Sequence, residues 1–459
     1  LNPTSENNGS VRMSAVELRA SIGLAGIFGL RMLGMFIILP VFALYAESLA
    51  GGSNHALIGL ALGAYGLTQA LLQVPFGWLS DHWGRKRTIY FGLIIFALGS
   101  FTAAMATSIY GVILGRVIQG AGAISAAVLA LTADLTREEV RTKAMAIIGI
   151  TIGVTFGISM IGGPPLSQWI GVPGIFALTG ILALTAIAVV WKGIPDAPPS
   201  IAAASRVPLL SILSDGQLLR LNFGIFALHA LMMALFIVVP FNLRNLLAVQ
   251  QHGFVYMPVM IGAFILMVPP MIAAEKHGLH KPVFLGAIAV LVASLGFLAL
   301  GKASLVLLIV GLLLFFTAFN FLEASLPSLI SKFAPEGARG KAMGVYSSLQ
   351  FFGIFSGAAM GGWLSQHFGD VAVYTLCFAV GGLWFVWAVS MRAPAVLRTK
   401  RFPLPSLDGF SVAGLEDRLR NLPGVREALV KTGDGVAVLK VDMHGFDERN
   451  VINLLAGEM

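Results

Sequence analysis

The chain has 459 residues, of which 57% are hydrophobic and only 11% charged, and its mean hydropathy is +0.86. A soluble protein carries about 25% charged residues, and a disordered one needs low hydrophobicity with high charge, so both classes are excluded and the apolar excess must face lipid. The net charge of +8 would suggest nucleic acid in a soluble protein; its distribution along the chain gives another reason. A single cysteine, Cys377, excludes an intramolecular disulfide, a cysteine-based zinc site and a paired-cysteine redox centre.

Residues 1–18 are mostly polar and carry no basic stretch, short apolar core and small-residue cleavage site, so no signal peptide is expected. Twelve runs long enough to cross a bilayer follow. They span about 19–46, 57–79, 87–106, 109–135, 142–167, 171–192, 217–243, 254–274, 282–301, 304–331, 340–366 and 370–391. With the N-terminus inside, Arg85, Lys86, Arg87, Arg137, Arg141, Lys143, Lys192, Arg206, Arg220, Lys276, Lys281, Lys332, Arg339 and Lys341 fall near cytoplasmic connections. Only Arg244 and Lys302 lie near the opposite loops. This asymmetry follows the positive-inside rule, predicts both termini in the cytoplasm and accounts for the basic balance without a nucleic-acid partner.

The apolar region is a repeat. Residues 136–149 align with 334–347 without gaps, pairing Arg141, Lys143, Ala144 and Met145 with Arg339, Lys341, Ala342 and Met343. The same offset pairs Gly163, Leu166, Ser167, Gln168 and Gly171 with Gly361, Leu364, Ser365, Gln366 and Gly369. Asp81 and Gly84 find counterparts in Glu275 and Gly278. The expected fold is therefore an all-α membrane protein of twelve transmembrane helices in two six-helix pseudo-symmetric halves, 19–192 and 217–392. A cytoplasmic linker, 193–216, joins them. Parallel halves of this kind place a binding site between them near the midplane.

Ionisable groups inside a span cost roughly 2.5–3.5 kcal/mol on insertion scales, which singles out Arg31, Arg116 and Glu323, with Asn320 one turn before Glu323 on the same face. Glu47, His229 and Gln119, together with Gln69 and Gln73, are further candidates for a cavity that carries substrate and protons. The ordinary structural readings are a buried pair, a snorkelling end residue or a satisfied helix histidine.

Beyond Arg392 the composition changes. Residues 393–459 hold nine Lys/Arg and nine Asp/Glu, attached through a segment containing Pro394, Pro403 and Pro405. The pattern predicts RFPLP (401–405), an amphipathic helix over 413–422, strands over 425–431 and 436–442 around a Thr432–Gly435 turn, and a helix over 447–457. This is an α+β ferredoxin-like plan without its last strand. The LPGV string (422–425) resembles heavy-metal-associated domains, but the paired metal cysteines are missing and no metal site is expected.

Three strings resemble the major facilitator superfamily. GWLSDHWGRKR (77–87) matches its loop motif at Gly77, Leu79, Asp81, Gly84, Arg85 and Lys86. GRVIQGAGA (115–123) matches the fourth-helix pattern at Arg116, Gln119, Gly120 and Gly122. Gly153, Gly157, Gly163 and Pro164 resemble the antiporter motif of the fifth helix, from which Ser159, Ser167 and Gln168 depart; a glycine-rich packing face explains that stretch equally well. The resemblance extends over nearly the whole chain and is nearest to the twelve-helix drug:proton antiporters. It implies a transporter of the bacterial inner membrane working by alternating access. Its gate would comprise Asp81 at the N-terminus of helix eleven near Gly340 and Arg85 paired with Asp134. The partners implied are the bilayer, a small-molecule substrate and protons, with no cofactor; a ligand of the C-terminal domain stays open. The leading expectation is a proton-coupled exporter of amphipathic compounds. The alternative is a transporter of one polar metabolite regulated by the C-terminal domain. No enzyme site is found.

Overall fold

A computed structural model describes residues 13–196, 208–335, 338–393, 397–404, 412–431, 435–442 and 445–455. The expected turn residues Thr432, Gly433 and Asp434, and Pro394, Pro405 and Arg206, lie outside them. The chain divides into two compact units, Leu1–Arg392 and Ala393–Met459.

The first unit is helical: α1 Ala15–Phe36, α2 Leu39–Glu47, α3 His55–Trp83, α4 Arg85–Ala104, α5 Ile109–Ala121, α6 Ser125–Asp134, α7 Glu138–Gly193, α8 Leu209–Ser214, α9 Gly216–Leu246, α10 His252–Leu266, α11 Val268–His277, α12 His280–Leu300, α13 Leu305–Phe333, α14 Arg339–Phe368 and α15 Asp370–Val389. Among the described residues ten helical segments are long and apolar enough to cross a membrane, against twelve runs read from the sequence. Two features make the difference. The fifth and sixth runs form one 56-residue helix, α7, which at 1.5 Å per residue would extend about 84 Å, nearly three times a bilayer core. It breaks at Gly171 (φ 70°, ψ 170°), a conformation open to glycine. The other feature is the glycine-rich helix α14, 30 residues long, which falls outside the ten.

Three expected runs are broken. α1 gives way to α2 at Ile37–Ile38, just before Pro40, and α10 to α11 at Met267, just before Pro269 and Pro270. Proline lacks the amide that would continue the helix ladder. α5 stops before Gly122, where a Cβ would lie 2.3 Å from the Gly92 carbonyl oxygen.

The repeat is visible in the backbone. Gly171 and its counterpart Gly369 share a positive φ, 70° and 75°, as do Gly84 and Gly278, at 104° and 68°. Gly163 packs against α1–α2, its Cβ direction 2.4 Å from the Ile37 oxygen, and Gly361 packs against α9, 2.9 Å from Ala234 Cα.

The second unit contains β1 Leu397–Pro403, α16 Val412–Arg420, β2 Val425–Lys431, β3 Val436–Asp442 and α17 Glu448–Leu455. β3 lies between β1 and β2 and is antiparallel to both. Ala437, Leu439 and Val441 are fully buried on one face of β3, the period-two pattern of a half-buried strand. On β2 the buried residues are Val425, then Ala428 and Val430; the irregularity between Val425 and Glu427 supplies the extra residue that shifts the parity. Leu415 and Leu419 of α16 and Val451 of α17 complete this core.

Candidate functional site

The two halves of the first unit meet along α3 and α14. Gly59 approaches Ala358 and Gly362, Gly63 approaches Phe355 and Ala358, and Gly66 approaches Phe351 and Ile354. A Cβ at Gly59 would sit 2.2 Å from the Ala358 oxygen, so only glycine permits this contact. Further links join the halves at the same end. Glu47 pairs with Arg244, the His55 amide donates to Gln366 Oε1 at 2.7 Å, and Gln168 Nε2 donates to the Gln250 carbonyl at 2.9 Å. The His55 ring stacks on Phe241.

At the opposite end, ion pairs tie together elements of the N-terminal half and the segments that flank it. Arg85 Nε donates to Asp134 Oδ2 at 2.9 Å, and Arg85 also pairs with Asp81. Lys86 lies 2.8 Å from Asp196. Glu17, which caps α1 with Ser14, accepts from the Arg137 amide at 3.0 Å and from its guanidinium at 2.9 Å. The α3–α14 register, continued to this end, sets Asp81 opposite Gly340. A Cβ at Gly340 or Gly344, however, meets nothing within 4 Å, and Gly77 packs only on Ala126 of its own half. The expected approach of Asp81 to helix eleven is therefore not made in this conformation; its carboxylate is 60% exposed and turned to Arg85.

Between these ends lie two polar clusters. In the N-terminal half, Arg31 is 2% exposed and donates to Ser125 Oγ and Gln69 Oε1, while Gln69 Nε2 donates to the Gly120 carbonyl at 2.7 Å. Arg116, fully buried, donates to Gln119 Oε1 at 2.6 Å and lies 4.7 Å from the Tyr65 ring centre. Gln119 in turn donates to Ser100 at 2.9 Å. Neutral acceptors thus satisfy much of both guanidiniums. In the C-terminal half, Gln350 Nε2 reaches Glu323 Oε1 at 3.1 Å and His229 Nε2 at 3.0 Å. His229 Nδ1 faces the Ile225 carbonyl at 3.3 Å, which assigns the ring proton to Nδ1 and leaves Nε2 as acceptor. Asn320 is buried, and its Nδ2 has no hydrogen-bond partner among the described residues.

Phe351, the residue after Gln350, joins the clusters: Arg31 lies 5.7 Å from its ring centre and Tyr65 packs on it at 6.3 Å. Phe156 of α7 meets Phe316 and Phe319 of α13 at 5.9 and 5.3 Å beside them.

Glu47, named as a cavity candidate, stands instead in the ion pair that joins the halves. Of the packing glycines, Gly157 meets Phe264 and Gly163 meets α1–α2, and Pro164 lies beside Gly253, while a Cβ at Gly153 would meet nothing within 4 Å. Gln350, Ser125 and Tyr65 escaped the sequence reading because it weighted charge inside spans. Gln350 carried a usable signal, an amide set between Leu349 and Phe351 in an apolar run. Gln168 and Gln366 were visible as a repeat pair, and Gln168 also as a departure from the fifth-helix motif.

A helical unit in two repeated halves, with polar clusters facing each other across the seam, defines a membrane transporter fold. The chain belongs to the major facilitator superfamily: the family description "Major Facilitator Superfamily" matches residues 24–358 and, in an overlapping match, 272–422. It is 42% identical to the inner membrane transport protein YajR of Escherichia coli (strain K12) over 436 residues, 94% of this chain and 96% of that protein. An uncharacterized transporter of Buchnera aphidicola subsp. Acyrthosiphon pisum is 35% identical over 353 residues, 75% of this chain and 90% of its own. The fold is shared with a bacterial homolog of the human lysosomal transporter Spinster, solved inward-facing and occupied. The TM-score there is 0.66 at 14% identity, covering 82% of this chain and 96% of that one. The protein is thus a multi-pass membrane secondary transporter and not an enzyme.

Proposed function

We propose that the chain is a proton-coupled antiporter that exports small amphipathic compounds across the bacterial inner membrane. It does so by alternating access of two six-helix halves, 19–192 and 217–392. Twelve crossings follow from dividing α7 at Gly171 and counting α14. The basic end then faces the cytoplasm with both termini, and the structure corresponds to an inward-open state, closed at the Glu47 end. The likeness to an inner membrane transport protein supports the location.

The observation that carries this reading is the Glu323–Gln350–His229 cluster, facing Arg31 across the seam in mid-membrane. Glu323 is the proposed proton carrier: it can exchange one unit of charge where the two halves alternately open, and Gln350 holds it in either state. Asp81, Gly84, Arg85, Lys86 and Asp134 form the proposed cytoplasmic gate. Arg85 holds Asp81 while the gate is open; in the outward-open state Asp81 moves to the N-terminus of α14 at Gly340, where the helix dipole favours an anion. The segment 393–459 is a ferredoxin-like domain, with three strands among the described residues.

The test is dye flux in proteoliposomes under an imposed pH gradient, using ethidium and carboxyfluorescein in parallel. Gradient-dependent movement of either dye, lost in Asp81→Asn, supports the reading. Movement of neither, or movement indifferent to the gradient, rejects it.

A further inference from the structure

The charge inside the spans is unbalanced. Arg31 and Arg116 contribute two buried positive charges, while Glu323 contributes one negative charge when ionised. Neither arginine has a carboxylate within ion-pair distance among the described residues. A buried cation without a counter-ion is expensive, and neutral acceptors offset only part of that cost. The two arginines also differ in position. Arg116 is enclosed within its own half by Tyr65, Leu62 and Gln119. Arg31 reaches the seam at Phe351, beside Gln350, which is partly exposed.

Unpaired polar atoms gather along the same stretch. Arg31 Nε, Tyr65 Oη and Gln73 Oε1 on one side, and Asn320 Nδ2 and Tyr346 Oη on the other, are buried without a hydrogen-bond partner among the described residues. Such groups are rare in folded proteins unless they serve a ligand or water. Aromatic rings of both halves lie next to them.

Resting on the transport reading above, we propose that the substrate is a small amphipathic organic anion, whose carboxylate or sulfonate pairs with Arg31 while its apolar part lies against Phe351. An anion supplies the missing charge, and a guanidinium with a free Nε–H offers it a charge-assisted hydrogen bond. A cationic amphipath would instead add a like charge beside Arg31. Glu323, when ionised, is a like charge for the anion and cannot replace it as the counter-ion of Arg31.

Binding to the purified full-length chain tests this separately from transport, with three probes of one shape: 1-naphthoate, 1-naphthylmethylammonium and 1-naphthylmethanol. The ratio of affinities is the readout, since a merely structural Arg31 would lower all three together. The wild type is expected to bind naphthoate at least about tenfold tighter than the ammonium, corresponding to one charge-assisted hydrogen bond. Arg31→Gln removes that preference, and Arg31→Lys retains part of it by keeping the charge. Equal or tighter binding of the ammonium, an unchanged ratio in Arg31→Gln, or no naphthoate binding overturns the anion assignment. Gradient-driven ethidium flux in the same preparation would then show that the transporter reading survives without it.

Discussion

The backbone amide of His55 donates to the side chain of Gln366 across the two halves, and Gln168, the repeat counterpart of Gln366, makes the matching bond to the Gln250 carbonyl. One glutamine from each half thus clasps the start of a helix in the other. Each bond is exposed and worth about 0.5–1.5 kcal/mol. The double variant Gln168→Ala/Gln366→Ala is expected to shift the balance toward opening at this end by roughly five- to a hundredfold. Cys377 is the single cysteine and is buried, so spin labels at Ser48 and Asn245 report the opening as a longer distance.

The Glu47–Arg244 pair at the same end is a weaker clasp. Both side chains are more than a third exposed, and pairs of this kind contribute about 0–1 kcal/mol. Glu47→Gln is expected to move the same distance distribution by less than the double glutamine variant. High salt should reproduce its effect in the wild type, because screening removes the attraction.

The Gly59 contact is steric and does not respond to salt. A valine there meets the Ala358 carbonyl, which belongs to a helix backbone and cannot step aside. Gly59→Val is expected to hold α3 and α14 apart, populate the form open at the Glu47 end and reduce transport at least about tenfold. Wild-type flux in a folded variant would show that the close approach is dispensable.

At the other end, Asp81→Asn keeps the shape of the side chain but removes its charge. The bond to Arg85 weakens, Arg85 remains with Asp134, and the proposed anchor for the α14 N-terminus is lost. Expression and melting temperature are expected to stay near wild type while flux disappears. A parallel loss of stability would assign Asp81 a structural role.

Proton coupling has its own signature. If Glu323 carries the proton, acidifying the outer side loads it and speeds export, so wild-type flux rises as external pH falls. Glu323→Gln is permanently neutral and should give flux independent of external pH. Gln350→Leu should weaken the dependence without abolishing it, since Glu323 keeps its charge but loses its hydrogen bond.

In the C-terminal unit Leu419 is fully buried among strand residues. Leu419→Ala is expected to cost about 2–5 kcal/mol, a large share of what a unit this small can hold. Limited proteolysis of the full chain should then cut within 393–459 while leaving the helical unit intact.

Membrane character, the repeat, the loop motif and the change of composition after Arg392 were all legible in the sequence, because hydropathy, charge and spacing belong to each residue or its near neighbours. So were Arg31, Arg116 and Glu323, which stand out by the cost of placing charge in an apolar run. Tertiary structure decided which of these groups meet. Gln350 bridges His229 and Glu323 from a helix far along the chain, Phe351 brings Arg31 to the seam, and Glu47 finds Arg244 at one end. The conformation was decided there too: the same α3–α14 register that closes at Gly59 leaves Asp81 and Gly340 apart. Contacts between halves depend on how two packed bodies tilt against each other, and a transporter must keep more than one such arrangement nearly equal in energy. A local pattern can therefore single out residues near each end, but only the packed structure shows which end is closed.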